Sequence, residues 1–317
     1  RTRRSALRSD GDPRAAGTLP DLTEAITRGE VRALVILGAN PVYTAPADLG
    51  FAAQLARVPF TVHFGGHADE TAARTLWHLP ESHFLEVWGD LRGFDGSATI
   101  LQPMIEPLHA TRSGAELLHF LSASLHEDGY DLVRETWRGE GPEAEFESAW
   151  RSWLNQGVIA GASAAAAEEA PAAGTGGIPE LRSPPADETL FLQFLPDPTL
   201  GDGRWANNAW LQELPPPFTS LVWENAAMIG PAAAARLSLK NGDVIACEAG
   251  GATLAAPVWI LPGQAAECIT LHLGYGRTGG GETGRGRGFS AYPLRTIRDL
   301  WQRAGVSVRN TGRHQAL

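Results

Sequence analysis

Val31-Arg32-Ala33-Leu34-Val35-Ile36-Leu37-Gly38-Ala39-Asn40-Pro41 decides the architecture: a short apolar run closed by a Gly-x-Asn-Pro turn. Before it, Leu22, Ala25 and Ile26 recur at helical spacing, and Arg28-Gly29 stops that helix. After it, Ala47 to Leu55 predicts a second helix and Phe60-Thr61-Val62-His63-Phe64 a second strand. A short apolar strand between helical segments reads as a buried parallel strand. Helix, strand, loop, helix, strand is the order of a doubly wound unit, so an α/β, Rossmann-like parallel domain is expected over 21–156, behind a tail over 1–20.

Downstream the text becomes irregular. Gly89-Asp90, Gly93 and Asp95-Gly96 mark loops and turns. Ala115 to Leu125 predicts a helix with Leu117, Leu118 and Leu121 on one face, and Phe146, Trp150, Trp153 and Leu154 mark another. The stretch 157–188 holds few large apolar residues, and such a composition predicts a flexible linker. Over 189–317 the period changes. Leu190–Leu195 reads as a strand, and Asn207 to Leu211 lies in a loop-rich stretch. Pro231 opens a short helix, and Asn241-Gly242-Asp243, Gly250-Gly251 and Pro262-Gly263 are turns. The turns separate strands at Val244–Cys247, Ala255–Leu261 and Cys268–Leu273. Short strands on tight turns suggest a small closed β-barrel.

Composition narrows the function. The 317 residues are 43% hydrophobic and 20% charged, enough for about two domains. No apolar stretch reaches the roughly 18 residues of a membrane span, so direct membrane insertion is not expected. The net charge of −10 argues against a nucleic-acid partner. Arg1-Thr2-Arg3-Arg4-Ser5 lacks the apolar region of a signal peptide and reads as a cut into a longer chain. Cys247 and Cys268 fall in strand-like runs, too few and too far apart for an iron–sulfur cluster or a structural zinc, and read as buried thiols.

Several stretches invite a chemical reading. In His63-Phe64-Gly65-Gly66-His67-Ala68-Asp69-Glu70 two glycines separate the histidines and spoil any helix that would align them, so a plain loop is preferred to a metal site. His78, His83, Glu81 and Glu86 receive the same reading, and no catalytic or metal residue is assigned. Gly161-Ala162-Ser163-Ala164-Ala165 fails as a nucleophile elbow at its last position. Gly38-Ala39-Asn40-Pro41 is either a ligand loop at the carboxyl end of a strand or an ordinary strand-to-helix turn. Gly274-Tyr275-Gly276-Arg277 opens a segment with eight glycines in fifteen residues, 274–288. Glycine with Arg277, Arg285 and Arg287 suits a phosphate or dinucleotide, and equally a mobile loop docking on an acidic partner.

Together these stretches resemble the molybdopterin oxidoreductase superfamily. Val31 to Pro41 resembles a strand and Gly-x-Asn-Pro loop of its third domain. Pro231 to Leu237, Asn241-Gly242-Asp243-Val244 and Pro262-Gly263 resemble its C-terminal dinucleotide-binding barrel, which implies a double-psi topology over 189–317. Asn40 to Leu49, Trp77 to His83, Glu86 to Asp90, Trp205 to Leu214 and His272 to Arg277 resemble one branch more narrowly. That branch is the large iron–sulfur subunit of alternative complex III, a quinol-oxidising respiratory complex.

The resemblance carries its own expectations. Gly38, Asn40, Pro41, Asn207, Asn208, Gly274, Tyr275, Gly276 and Arg277 become the cofactor-binding candidates, active or vestigial. The two loops, Gly38–Pro41 and Gly274–Arg277, are expected to face each other across an interdomain cleft. The family's molybdenum ligand and N-terminal cluster motif have no counterpart here, and the branch is held to lack molybdenum. The implied role is therefore a noncatalytic scaffold without a cofactor of its own. Iron–sulfur clusters would lie in another part of the full-length subunit. Its partners would be the other subunits of a membrane-bound complex, at the periplasmic face of a bacterial inner membrane. The alternative is the part of an active molybdenum enzyme that holds molybdopterin guanine dinucleotide.

Overall fold

A computed structural model describes residues 17–93, 96–123, 126–139, 141–159 and 190–317. The described residues form two compact units. One holds Leu19–His63, His67–His78 and the described part of Ser183–Leu317; the other holds Phe64–Gly66 and the described part of Leu79–Arg182. This is not the expected division at 157–188, because the first helices and strand share a unit with the C-terminal sheet. The reason is packing: Tyr43 is buried in the same apolar cluster as Leu192, Phe194 and Ile269.

Helix α1 (Leu19–Thr27) ends as its sequence signal requires. Gly29 takes φ +75°, and the Glu30 and Gly29 N–H groups donate back to the Ala25 and Ile26 carbonyls, capping the last turn. Strand β1 (Ala33–Leu37) leads to α2 (Pro41–Thr44), where Pro41 takes the first helical position, and then to α3 (Phe51–Leu55). Strands β2 (Phe60–Gly65) and β3 (Trp77–Pro80) complete a three-stranded sheet in the order β1-β2-β3. Ile36, Phe51 and Leu55 form the small core here. One expectation fails: β1 is an edge strand with Val35 and Leu37 exposed, so it is not buried on both faces.

The unit built mainly from 79–159 holds a hairpin where loops were expected. Strands β4 (Gly89–Arg92) and β5 (Ala98–Leu101) pair antiparallel, so Gly89 and Asp90 lie in a ladder, while Gly93 and Gly96 keep their turn role, the Gly96 N–H donating to the Gly93 carbonyl at 2.9 Å. Helices α4 (Gly114–Ala123), α5 (Gly129–Trp137) and α6 (Glu143–Gln156) follow. The core is aromatic: Trp150 is buried among Phe146, Val133 and Ile100, with the rings of Trp88 and Tyr130 against it. Helix α4 departs from its expected face, since Leu118 and Leu121 are exposed. The predicted linker begins too early. Gly157 ends α6 in the left-handed region, and Ile159 is buried, donating its N–H to the Ala98 carbonyl. Residues 160–188 of that linker lie outside the described residues, as do 1–16 of the expected tail.

The C-terminal part holds β6 (Phe191–Leu195), α7 (Ala209–Glu213), β7 (Ala227–Ile229) and α8 (Pro231–Arg236). Strands β8 (Asp243–Ala249), β9 (Ala252–Ile260), β10 (Cys268–His272), β11 (Gln302–Arg303) and β12 (Ser307–His314) follow. They make one mixed seven-stranded sheet in the order β11-β6-β10-β7-β9-β8-β12. Strand β10 runs parallel to β6 and antiparallel to β7, and β7 runs parallel to β9. Its interior is apolar and dense, with Leu192, Phe194, Ile229, Ile245, Ile269 and Leu271 fully buried. The sequence reading holds no counterpart of strands β7, β11 and β12, and the strands together form a curled mixed sheet. Among the described residues no helix is long and apolar enough to cross a membrane.

Candidate functional site

The two glycine-bearing loops meet, but through a residue read only as part of a loop. Both belong to the same compact unit, so the expected cleft between domains is not what joins them. Glu70, in the connection from β2 to β3, stands between them. Asn40 Nδ2 donates to Glu70 Oε2 at 2.7 Å. Arg277 Nε donates to Oε1 and Oε2 at 3.0 and 3.1 Å, and Nη2 to Oε2 at 2.8 Å. The backbone N–H groups of Thr278 and Gly279 donate to Oε1 at 2.7 and 2.9 Å.

The surrounding atoms fix this geometry. Asn40 Oδ1 accepts from the Thr71 N–H and hydroxyl at 3.2 and 2.7 Å, which orients the amide so that its NH2 faces Glu70. Asp69 Oδ1 accepts from the Thr71 and Ala72 N–H groups, both at 2.9 Å, and shapes the turn that carries Glu70. The Arg277 guanidinium lies 4.7 Å above the Tyr43 ring, and Nη1 donates to the Gly203 carbonyl. Tyr43 in turn donates its hydroxyl to the Tyr275 carbonyl at 2.5 Å. Space is tight at Gly279, because a Cβ there would stand 3.0 Å from backbone atoms of Asp69 and Glu70.

Charge is strongly placed. The Arg277 and Glu70 side chains are only 8% and 9% exposed. Burial pushes the Glu70 carboxyl up, but the hydrogen bonds from Arg277, Asn40 and Gly279 together outweigh it and hold the group at about 2. Glu70 is therefore ionised throughout the neutral range, and Arg277 stays charged against its own burial. Beside this cluster, His63 and His78 stack with Nδ1 atoms 3.0 Å apart, one ring donating and the other accepting. Burial and the charge of His63 push His78 below the ordinary histidine value.

The other candidates have structural partners. Gly38 takes φ +57° after β1, and Pro41 opens α2. Asn207 Oδ1 accepts from the Thr283 N–H at 3.2 Å and lies where a Cβ on Gly281 would fall. Asn208 caps α7 by accepting from the Leu211 N–H at 3.2 Å. Gly274 packs against Gly201 and Gly203, Gly276 against Phe289 and Ser290, and Tyr275 is buried. Arg285 bridges Arg277 through the backbone but turns its side chain to Glu282, and Arg287 lies over the Trp223 ring. Among the described residues no group of three His, Cys, Asp or Glu side chains is arranged to hold a metal. Cys247 and Cys268 are free, buried thiols on non-adjacent strands, and burial pushes Cys247 up to about 12.

The arrangement tests the dinucleotide reading directly. A bound pyrophosphate needs donors, and the side-chain donors Asn40 Nδ2 and Arg277 Nε and Nη2 of the two loops already end on the Glu70 carboxylate. A second anion at the same donors would meet a buried negative charge with no countercharge left over. The residues present at these two loops therefore do not fit a pyrophosphate arm.

No family model matches the chain. It is 26% identical over 330 aligned positions to the menaquinone reductase, molybdopterin-binding-like subunit, of Nitratidesulfovibrio vulgaris. The match covers 94% of this chain and 45% of that one, so the chain spans under half the length of the curated relative. Acetylene hydratase from Pelobacter acetylenicus shares the fold with a TM-score of 0.67 at 16% identity, over 91% of this chain and 46% of that one. The sequence likeness and the shared fold together support, at the level of the superfamily, a molybdopterin oxidoreductase-like chain.

Proposed function

We propose that the chain is a noncatalytic, molybdopterin oxidoreductase-like part of a subunit in a membrane-bound quinol- or quinone-linked electron-transfer complex. It acts as scaffold for partner subunits and holds no pterin. The observation that carries this reading is the Glu70 carboxylate, which takes up the Asn40, Arg277, Thr278 and Gly279 donors that a dinucleotide would need. The curated relative's name as a molybdopterin-binding-like subunit supports a place in a multisubunit assembly. The finer assignments belong to the same reading: alternative complex III, the periplasmic face of the inner membrane, iron–sulfur clusters elsewhere in the subunit, and a Rossmann-like domain followed by a double-psi barrel.

The test uses the full-length subunit purified with its partners. Molybdenum is quantified by mass spectrometry and pterin by fluorescence after oxidative extraction. Background levels of both, in a complex that still transfers electrons from or to a quinone, are the expected result. Stoichiometric molybdenum with guanine dinucleotide would overturn the scaffold reading in favour of a working molybdenum enzyme.

A further inference from the structure

The donors around Glu70 are those with which proteins hold an external oxyanion. A planar guanidinium offers two N–H groups, an amide adds a third, and two successive backbone N–H groups of a glycine-rich loop complete the set. Five donors thus converge on two carboxylate oxygens: Arg277 Nε and Nη2, Asn40 Nδ2, and the N–H groups of Thr278 and Gly279. The side-chain donors are oriented by further contacts that do not depend on Glu70. Thr71 orients Asn40, and the Tyr43 ring and Gly203 carbonyl orient Arg277. The cradle is therefore built by the fold, and the carboxylate is its occupant. We propose that Glu70 is the resident anion of an oxyanion cradle, and that the chain takes a small external oxyanion of formate or phosphate size when this carboxylate is removed.

The idea rests on the noncatalytic reading for its biological sense, since a self-filled cradle explains why no pyrophosphate is taken. The binding itself is a property of this chain's residues, so its failure would leave the scaffold reading standing. Removing the carboxylate and a methylene from Glu70 opens a space of about acetate size, enough to admit formate, beside an unpaired, buried guanidinium. A buried cation without a partner is costly, and an anion that restores the pairing stabilises the fold by mass action.

The experiment compares wild type, Glu70→Ala and the double variant Glu70→Ala/Arg277→Met in the full-length protein. Thermal unfolding is followed in sodium formate and in sodium chloride at equal ionic strength. At 100 mM formate, a dissociation constant of about 1–10 mM raises the Glu70→Ala midpoint by roughly 3–10 °C over chloride. Wild type and the double variant are expected to show no such difference. A folded Glu70→Ala protein indifferent to formate and to phosphate, or a double variant that responds equally, overturns the proposal. If Glu70→Ala does not fold in chloride, its refolding yield carries the test: recovery in formate well above that in chloride supports the cradle, and equal recovery in the two salts refutes it.

Discussion

Arg277→Met measures how much of the fold depends on the pair at its centre. The substitution keeps an unbranched, apolar stem and deletes the guanidinium. It leaves Glu70 only 9% exposed, with its Asn40, Thr278 and Gly279 donors intact but no countercharge. Breaking a buried pair from one side costs about 3–5 kcal/mol. Loss of the stacking over Tyr43, at 4.7 Å, adds about 0.5–1 kcal/mol. At roughly 2–4 °C per kcal/mol, the unfolding midpoint falls by roughly 7–24 °C. Differential scanning calorimetry reads the shift, and near-ultraviolet circular dichroism at 20 °C checks that the native packing survives. The double variant Glu70→Gln/Arg277→Met closes a cycle whose coupling is expected at about 2 kcal/mol or more. A single variant losing under about 1 kcal/mol, or single effects that simply add, would refute the central role given to this pair.

Acid should undo the same contact. Glu70 sits at about 2 when folded against an ordinary 4.5, so its contribution of about 3 kcal/mol is complete above pH 4.5 and fades as pH falls toward 2. Urea midpoints across that window should slope steeply in wild type and less in Glu70→Gln; equal slopes would contradict the assignment. His78 is pushed below 6.5 in the fold, so the unfolded chain takes its proton first, and stability declines as pH falls through 6.5. That decline should flatten in His78→Asn. Cys247 and Cys268 should resist thiol reagents at pH 8 until denaturant is added, and rapid native labelling of Cys247 would show that strand β8 opens. Gly279→Ala places a Cβ 3.0 Å from Asp69 and Glu70 backbone and should cost about 1–3 kcal/mol, read by urea titration.

Local signals were legible and distant ones were not. Gly29 ends α1, Pro41 and Pro231 open helices, and Gly250-Gly251 turns β8 into β9 with both φ angles positive, all as the sequence indicates. Strand β12 was hidden because an edge strand with mostly exposed side chains, Ser307 to His314, carries no apolar alternation. Strand β7 is three residues long and too short for any period to register. Asn40 and Arg277 carry the glycine-loop signal of a ligand site, and in the structure their side-chain donors meet Glu70. Their true partner, Glu70, lies 207 positions from Arg277 in the chain, and nothing in the residues around it announces a carboxylate destined for burial.

Tyr43 packs in the same apolar cluster as the C-terminal sheet, and its hydroxyl meets a carbonyl 232 positions further along the chain. During synthesis at about 5–20 residues per second, the helices around Tyr43 wait roughly 10–50 s for the strands that bury it. Meanwhile the hairpin unit of β4 and β5, whose contacts are mostly near in sequence, has its own core complete once Ile159 has emerged. The order of assembly on the ribosome is therefore inverted with respect to the order of the genetic text. The middle settles first, and the helices around Tyr43 keep an uncovered apolar face until β6 and β10 arrive.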